Sequence, residues 1–164
     1  MFKKLAIAAA LAAVASSACA GESKGFYGGL DIGSSKVDIF EGNKTSTGGF
    51  VGYSFNQYVA LELGYRQLGK WSINGGTVKL NQTHFSVIGS YPLSPEFDIY
   101  GRYGRDSMHF DSSVPNATFI GYSDGGFFGA GLNYKFTSTI SGRVEVQEPA
   151  KGATNYGFGI VFKF

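Results

Sequence analysis

From residue 25 to its last residue, the chain repeats one pattern: a large apolar side chain at every second position, with small or polar residues between. The C-terminal stretch TNYGFGIVFKF shows it most fully. There Tyr156, Phe158, Ile160, Phe162 and Phe164 alternate with Asn155, Gly157, Gly159, Val161 and Lys163. A period of two sends successive side chains to opposite faces, which is the signature of a strand. Past residue 20, no window keeps a period of 3.6, so the alternation leaves no room for helix.

The alternation divides the chain into eight strands. The first, GFYGGLDIGSSKVD, sets Phe26, Gly28, Leu30 and Ile32 on one face. In TGGFVGYSF, Val51, Tyr53 and Phe55 share a face, and in VALELGYRQL, Val59, Leu61, Leu63 and Tyr65 oppose Ala60, Glu62, Gly64 and Arg66. LNQTHFSVIGSY sets Phe85, Val87 and Tyr91 against His84, Ser86 and Ser90, and FDIYGRYG sets Phe97, Ile99 and Tyr103 against Asp98 and Arg102. In GGFFGAGLNYKF, Phe128, Leu132 and Tyr134 oppose Gly129, Gly131, Asn133 and Lys135; in ISGRVEVQ, Ile140, Val144 and Val146 oppose Arg143, Glu145 and Gln147. The C-terminal stretch is the eighth. Connections around Asn56, Pro92 and Ser138 are short, whereas those around Asn43, Asn74, Asn116 and Lys151 read as longer, with residues 105–124 the longest.

The N-terminus obeys a different rule. Lys3 and Lys4 precede an apolar run over residues 5–15 and a small-residue segment ending Ala18-Cys19-Ala20. The run is shorter than the ~20 residues of a spanning helix and fits a cleaved signal peptide over residues 1–20. A lipoprotein signal with Cys19 as the lipidated residue is the alternative, with Ser16 where such signals carry leucine. Removing 20 of the 164 residues leaves 144, one domain over residues 21–164 without cysteine. Losing two of the 14 basic residues leaves 12 against 12 acidic, which removes any electrostatic case for nucleic acid.

What covers the apolar faces decides the fold. Charged residues make up 16% of the chain, against about 25% in an ordinary soluble domain. A soluble eight-stranded calyx hides its apolar face and shows water a charged one. Here the other face is rich in Gly, Ser, Asn and Thr, and suits the crowded interior of a small closed barrel. Its few charges carry both signs, Glu62, Arg66, Asp98, Arg102, Lys135, Arg143 and Glu145, and are expected to neutralise one another in the lumen. Short turns on one side and long loops on the other complete the expectation: an all-β, closed, eight-stranded antiparallel up-and-down transmembrane barrel with lipid on its aromatic face.

With these segments in view, the chain resembles the small outer-membrane β-barrel proteins related to the OmpA transmembrane domain. The resemblance rests on GFYGGLDIG, YVALELGYRQLGK, YPLSPEFDIYGRYG, GGFFGAGLNYKF and the terminal Phe164. It implies an outer-membrane location with both termini periplasmic. It also implies a terminal signal for the barrel-assembly machinery, matched by Tyr156, Phe158, Ile160, Phe162 and Phe164. A periplasmic peptidoglycan-binding domain, carried by larger relatives, is not expected after Phe164. The family's barrels serve as anchors, adhesins, narrow pores and enzymes, so activity is not implied.

Candidate sites follow from residue chemistry. His84 and Ser86, two apart on one face, resemble the H-x-S pair that lipid A deacylases use with a glutamate. However, Val87 stands where that family has asparagine, Glu96 lies past a turn, and both residues face the lumen rather than lipid. The lumen charges line either a conducting path or a salt-bridged plug. GGFFGAG has no helix after it to serve a phosphate, and His109 has no clustered ligands for a metal. Trp71 reads as an interface anchor. Phe110, Phe119 and Tyr122, on the segment 105–125, are candidates for loop contact with an extracellular ligand or host surface. The expected role is structural or surface contact by a monomer without cofactors or metals. A lipid A-modifying enzyme and a narrow solute channel remain the alternatives.

Overall fold

Three short turns reverse the chain by one device. Asn56 Oδ1 accepts hydrogen bonds from the backbone N–H of Tyr58 and Val59, at 2.7 and 2.9 Å. Ser94 Oγ accepts from the N–H of Glu96 and Phe97, and Thr137 Oγ1 from the N–H of Thr139 and Ile140. Short polar side chains of this kind satisfy the backbone groups that a turn leaves unpaired. Each turn also places a backbone N–H on the carbonyl four residues on: Phe55 to Val59, Leu93 to Phe97, Phe136 to Ile140.

These turns link strands of a computed structural model that describes residues 24–37, 42–73, 76–112, 120–150 and 152–164; residues 1–20, expected as a signal peptide, lie outside them. The strands are β1 (Gly25–Val37), β2 (Lys44–Ser54), β3 (Val59–Ile73), β4 (Gly76–Pro92), β5 (Phe97–Ser112), β6 (Ile120–Lys135), β7 (Ile140–Ala150) and β8 (Ala153–Lys163). Each pairs antiparallel with its neighbours in sequence. β8 returns to β1 in register from Tyr27–Lys163 to Val37–Ala153, and the sheet closes into an eight-stranded barrel. Closure leaves no sheet edge within the wall, the condition for backbone in hydrocarbon.

The faces fall as the alternation requires. Leu30 is 70% and Tyr103 69% exposed on the outer wall, with Ile32, Val51, Leu63, Phe85, Val87, Phe128 and Val144 exposed beside them. Glu62, Arg66, Gln82, His84, Arg102 and Arg143 are buried inside. A polar interior within an apolar exterior inverts the soluble arrangement. At the turn end the outward rings touch edge to face: Phe26 with Tyr53 at 4.9 Å, Tyr53 with Phe55 at 5.2 Å, and Tyr134 with Phe136 at 5.2 Å. Such a girdle suits the membrane–water boundary.

The many glycines have a packing role. Tyr27 stands directly opposite Gly52, Phe50 opposite Gly29, His84 opposite Gly64, Tyr100 opposite Gly131 and Phe127 opposite Gly104. In each pair the inward ring occupies the space that a Cβ on the glycine would need. An eight-stranded lumen admits a large ring only where the facing position is empty. The lumen therefore has an apolar layer near the turn end, formed by Tyr27, Phe50, Ala60, Ile88 and Tyr100 with Val161 packed against it.

The far end differs from the sequence expectation. β3 and β4 are joined by residues 74–75, and β7 and β8 by residues 151–152, so the connections expected to be long around Asn74 and Lys151 are two-residue links. The segment 105–124, expected as the longest loop, is mostly strand: β5 runs to Ser112, β6 starts at Ile120, and only residues 113–119 connect them. β3 to β6 have 15, 17, 16 and 16 residues, against 11 in β2, β7 and β8.

Candidate functional site

The seven inward charges expected from the sequence fall into three groups rather than one. At the centre, Glu62 receives Arg143 through two hydrogen bonds of 2.8 and 3.1 Å, Arg102 Nη2 through a short one, and the Tyr27 hydroxyl at 3.2 Å. Glu145 accepts the Tyr100 hydroxyl at 2.7 Å and lies 3.3 Å from Arg102 Nε. The Arg143 guanidinium also sits 3.7 Å over the Phe50 ring. Two carboxylates and two guanidiniums thus neutralise one another within one buried cross-section, each charge sharing a counter-ion with its neighbour.

Arg66 belongs to a second group. Its Nε binds Asp31 at 2.9 Å, and Nη1 donates to Asn155 Oδ1 at 3.0 Å. Asn155 in turn donates to Ser35 and Ser46, both at 2.7 Å. The third group lies at the turn end, where Lys135 Nζ meets Asp98 at 2.8 Å. A cavity of about 340 Å³ opens there, floored by Tyr27, Ala60, Ile88, Tyr100 and Val161. Towards the far end, Gln82 bridges Asp106 at 2.7 Å and Gln147 at 3.3 Å, and Leu68, Leu80 and Met108 are buried beyond them.

Asp31, Asp106 and the inward rings were missed in the sequence, although a signal existed for each. Leu30 and Ile32 face outward, which sends Asp31 inward, and the same parity on β5 carries Tyr100 and Arg102 on to Asp106. His84 and Ser86 lie on the lumen side of β4, opposite Gly64 and Glu62. His84 Nε2 is 3.8 Å from Glu62 Oε1, and its ring packs on Phe127 with centroids 5.3 Å apart. The carboxylates near this histidine are thus Glu62 and, directly opposite it on β5, Asp106, not Glu96, and Glu62 is already held by two arginines.

The second candidate region is the far end. Among the described residues, β3 pairs with β2 only as far as Gln67, and beyond it pairs with β4 alone. β6 pairs with β7 only from Phe128 onward, while its pairing with β5 continues out to Ile120. A four-stranded sheet therefore stands above the closed wall. Phe110 lies on β5 opposite Gly121, Tyr122 on β6 opposite His109, and Trp71 on β3 opposite Val78. Phe119 lies outside the described residues. Asp111 accepts Asn81 at 3.2 Å and lies 3.0 Å from His109, and Lys70, Lys79, Arg105 and Asp124 are exposed nearby. The outward residues described on this surface, Lys79, Asn81, Arg105, His109, Asp111 and Asp124, are polar, unlike those of the wall below it.

Known proteins share this architecture. Residues 6–164 match the family described as outer membrane protein beta-barrel domain. Outer membrane protein A of Salmonella typhi is 32% identical over 114 residues, covering 64% of this chain and 33% of that protein. The chain spans about a third of the length of that relative. Among solved structures, Neisserial surface protein A superposes with a TM-score of 0.72 at 15% identity, covering 85% of this chain and 97% of that one. The N-terminal barrel domain of Pseudomonas aeruginosa OprF gives 0.66 at 19%, covering 86% and 99%. A closed barrel with an apolar wall, a polar packed lumen and a family match over nearly its whole length leads to one conclusion: the chain is an outer-membrane protein and belongs to the outer membrane protein beta-barrel family.

Proposed function

We propose that the protein is a non-enzymatic surface-contact protein whose binding element is the sheet that β3 to β6 raise above the barrel wall. The observation that carries this reading is the extra length of these four strands, which continue where β2 and β7 no longer pair with them. A barrel needs about 9–11 residues per strand to cross the bilayer. The 15 to 17 residues of β3–β6 exceed that need and display backbone and side chains to the outside medium. Both ends of the barrel, Gly25 and Lys163, lie at the end opposite the raised sheet, and the periplasmic termini that the family resemblance implies support reading the raised sheet as facing the cell surface. The lumen supports the same reading: its centre is filled by paired charges and rings, which favours a plug over a solute path.

Replacing residues 107–121 by a short Gly-Ser turn tests this. The shortened protein should still run faster on gels unheated than boiled, because the strand ends removed stand above the closed wall and β1, β2, β7 and β8 keep their pairing without them. Cells carrying it should lose adhesion or phage reception that depends on the parent. Retention of every such phenotype by a folded, shortened barrel would overturn the proposal.

Assembly is part of the proposal, with the barrel-assembly machinery as partner. The outward residues Tyr156, Phe158, Ile160 and Phe162 are exposed along β8, and the Phe164 N–H donates to the Phe26 carbonyl at 2.9 Å. Deleting Phe164, or replacing it with aspartate, is expected to lower outer-membrane levels several-fold, measured by quantitative immunoblot of membrane fractions. Unchanged levels would remove Phe164 from the signal.

A further inference from the structure

The raised sheet has two lateral edges, and they are built differently. On β3 the ladder is interrupted by a bulge between Gln67 and Gly69, and Lys70 follows it exposed. Bulges and lysines are the devices by which sheets discourage edge-to-edge pairing. On β6 neither occurs. Pairing with β5 runs without a register shift from Phe97–Tyr134 to Asp111–Ile120, and residues 120–127 contain no proline and no lysine. Three of those eight residues are glycine: Gly121, Gly125 and Gly126.

The reason the β6 edge is left open lies on β7. One step beyond the last pair, Phe128–Glu148, stands Pro149, which has no N–H to continue the ladder. The β7–β8 ladder also shifts between Gln147 and Ala150. Among the described residues, β6 therefore runs eight residues, roughly 26 Å, past its last pair with β7, which itself continues only to Ala150, and every second residue presents its N–H and C=O to that side.

We infer that the β6 edge over residues 120–127 is an acceptor for an extended peptide strand of a partner protein, a strand carrying a basic residue opposite Asp124. The inference deepens the surface-contact reading and rests on it for its biological setting. Strand addition uses the unpaired backbone groups of the edge for affinity and alternate side chains for selection. Asp124 is exposed on the outward face of this edge and supplies the charge that selects a cation. Gly125 and Gly126, which follow Asp124, add no side chain of their own on its C-terminal side. A second copy in the same membrane is a poor fit: a twofold axis along the membrane normal makes equivalent β6 strands run the same way, which forbids antiparallel addition.

The probe is a ten-residue peptide of alternating threonine and lysine, titrated against the intact barrel in detergent micelles. Two N-methylated forms carry methyl groups on alternate amides, one form for each parity. One form should lose binding at least about tenfold, because its edge-facing donors are gone, and the other should bind as the parent does. Asp124→Lys should weaken the lysine peptide about tenfold and favour a glutamate version. Gly125→Pro and Gly126→Pro form a matched pair, since adjacent amides point to opposite sides. The variant whose proline faces the open side should keep the β5 ladder and the gel shift but lose the peptide. Absence of binding, equal loss from both N-methylated forms, or binding that survives both prolines would overturn the edge site. If shortening residues 107–121 abolishes cell contact while the peptide fails to bind, the surface-contact reading stands and the edge site falls. If the peptide binds by edge pairing while shortened cells keep every contact, the edge site stands and the surface-contact reading falls.

Discussion

Replacing Glu62 with alanine is expected to destabilise the barrel by about 3–5 kcal/mol, the usual cost of leaving buried charge without its partner. Glu62 is 1% exposed and receives Arg143, Arg102 and the Tyr27 hydroxyl. Its loss leaves two guanidiniums facing each other with only Glu145 between them. Charge reversal by Glu62→Lys should cost still more, because it adds a third cation to the same cross-section. Removing an opposed pair should be milder: with Glu62→Leu and Arg143→Met together, Arg102 keeps Glu145 at 3.3 Å and the remaining charges balance. Urea titration in lipid vesicles, run as a double-mutant cycle, separates these outcomes. If the pair variant is as unstable as Glu62→Lys, the residues are solvated and the central group is not a closed set. Glu145→Gln is the milder control, since it removes one acceptor charge but leaves Glu62 between both arginines.

The legible part of this architecture is the part in contact with lipid. Where the outer wall must be apolar, Leu30, Val51, Leu63 and Val87 mark every second position, and strand number, faces and closure follow from that spacing alone. Above the membrane both faces meet water, and the constraint lapses. Arg105, Ser107, His109 and Asp111 share the outward parity of β5 with Ile99 and Tyr103, yet they read as loop because nothing apolar marks them. The Asn74-Gly75 link between β3 and β4 carried its own signal, since Asn-Gly is a preferred two-residue hairpin connection. The inward charges were legible as a set but not as pairs. Arg66 meets Asp31 two strands away, and which inward residues meet across a lumen depends on the stagger of the closed barrel, not on alternation along any one strand.

The stagger also decides which glycines are irreplaceable, and the largest remaining effect should appear there. Gly104→Ala is expected to destabilise the barrel by about 1–3 kcal/mol or to prevent closure. Its Cβ would strike the Phe85 carbonyl oxygen as well as the Phe127 ring, and Phe127 is fully buried, with 0% exposure. Trimming that ring by Phe127→Ala should not rescue Gly104→Ala, because the backbone oxygen stays in place and a cavity is added. Gly64 is a contrasting case. The three atoms nearest a Cβ there all belong to the His84 ring, so Gly64→Ala should be destabilising alone and largely restored in combination with His84→Ser. The comparison needs four single variants and two doubles, measured by urea midpoint and by the unheated gel shift. Rescue at Gly64 but not at Gly104 would establish that the ring-over-glycine pairs fix the lumen at two levels, side chain against side chain and side chain against backbone. Equal rescue at both would mean the wall at Phe85 can yield. No rescue at either would mean that these glycines are needed for something other than the space they leave.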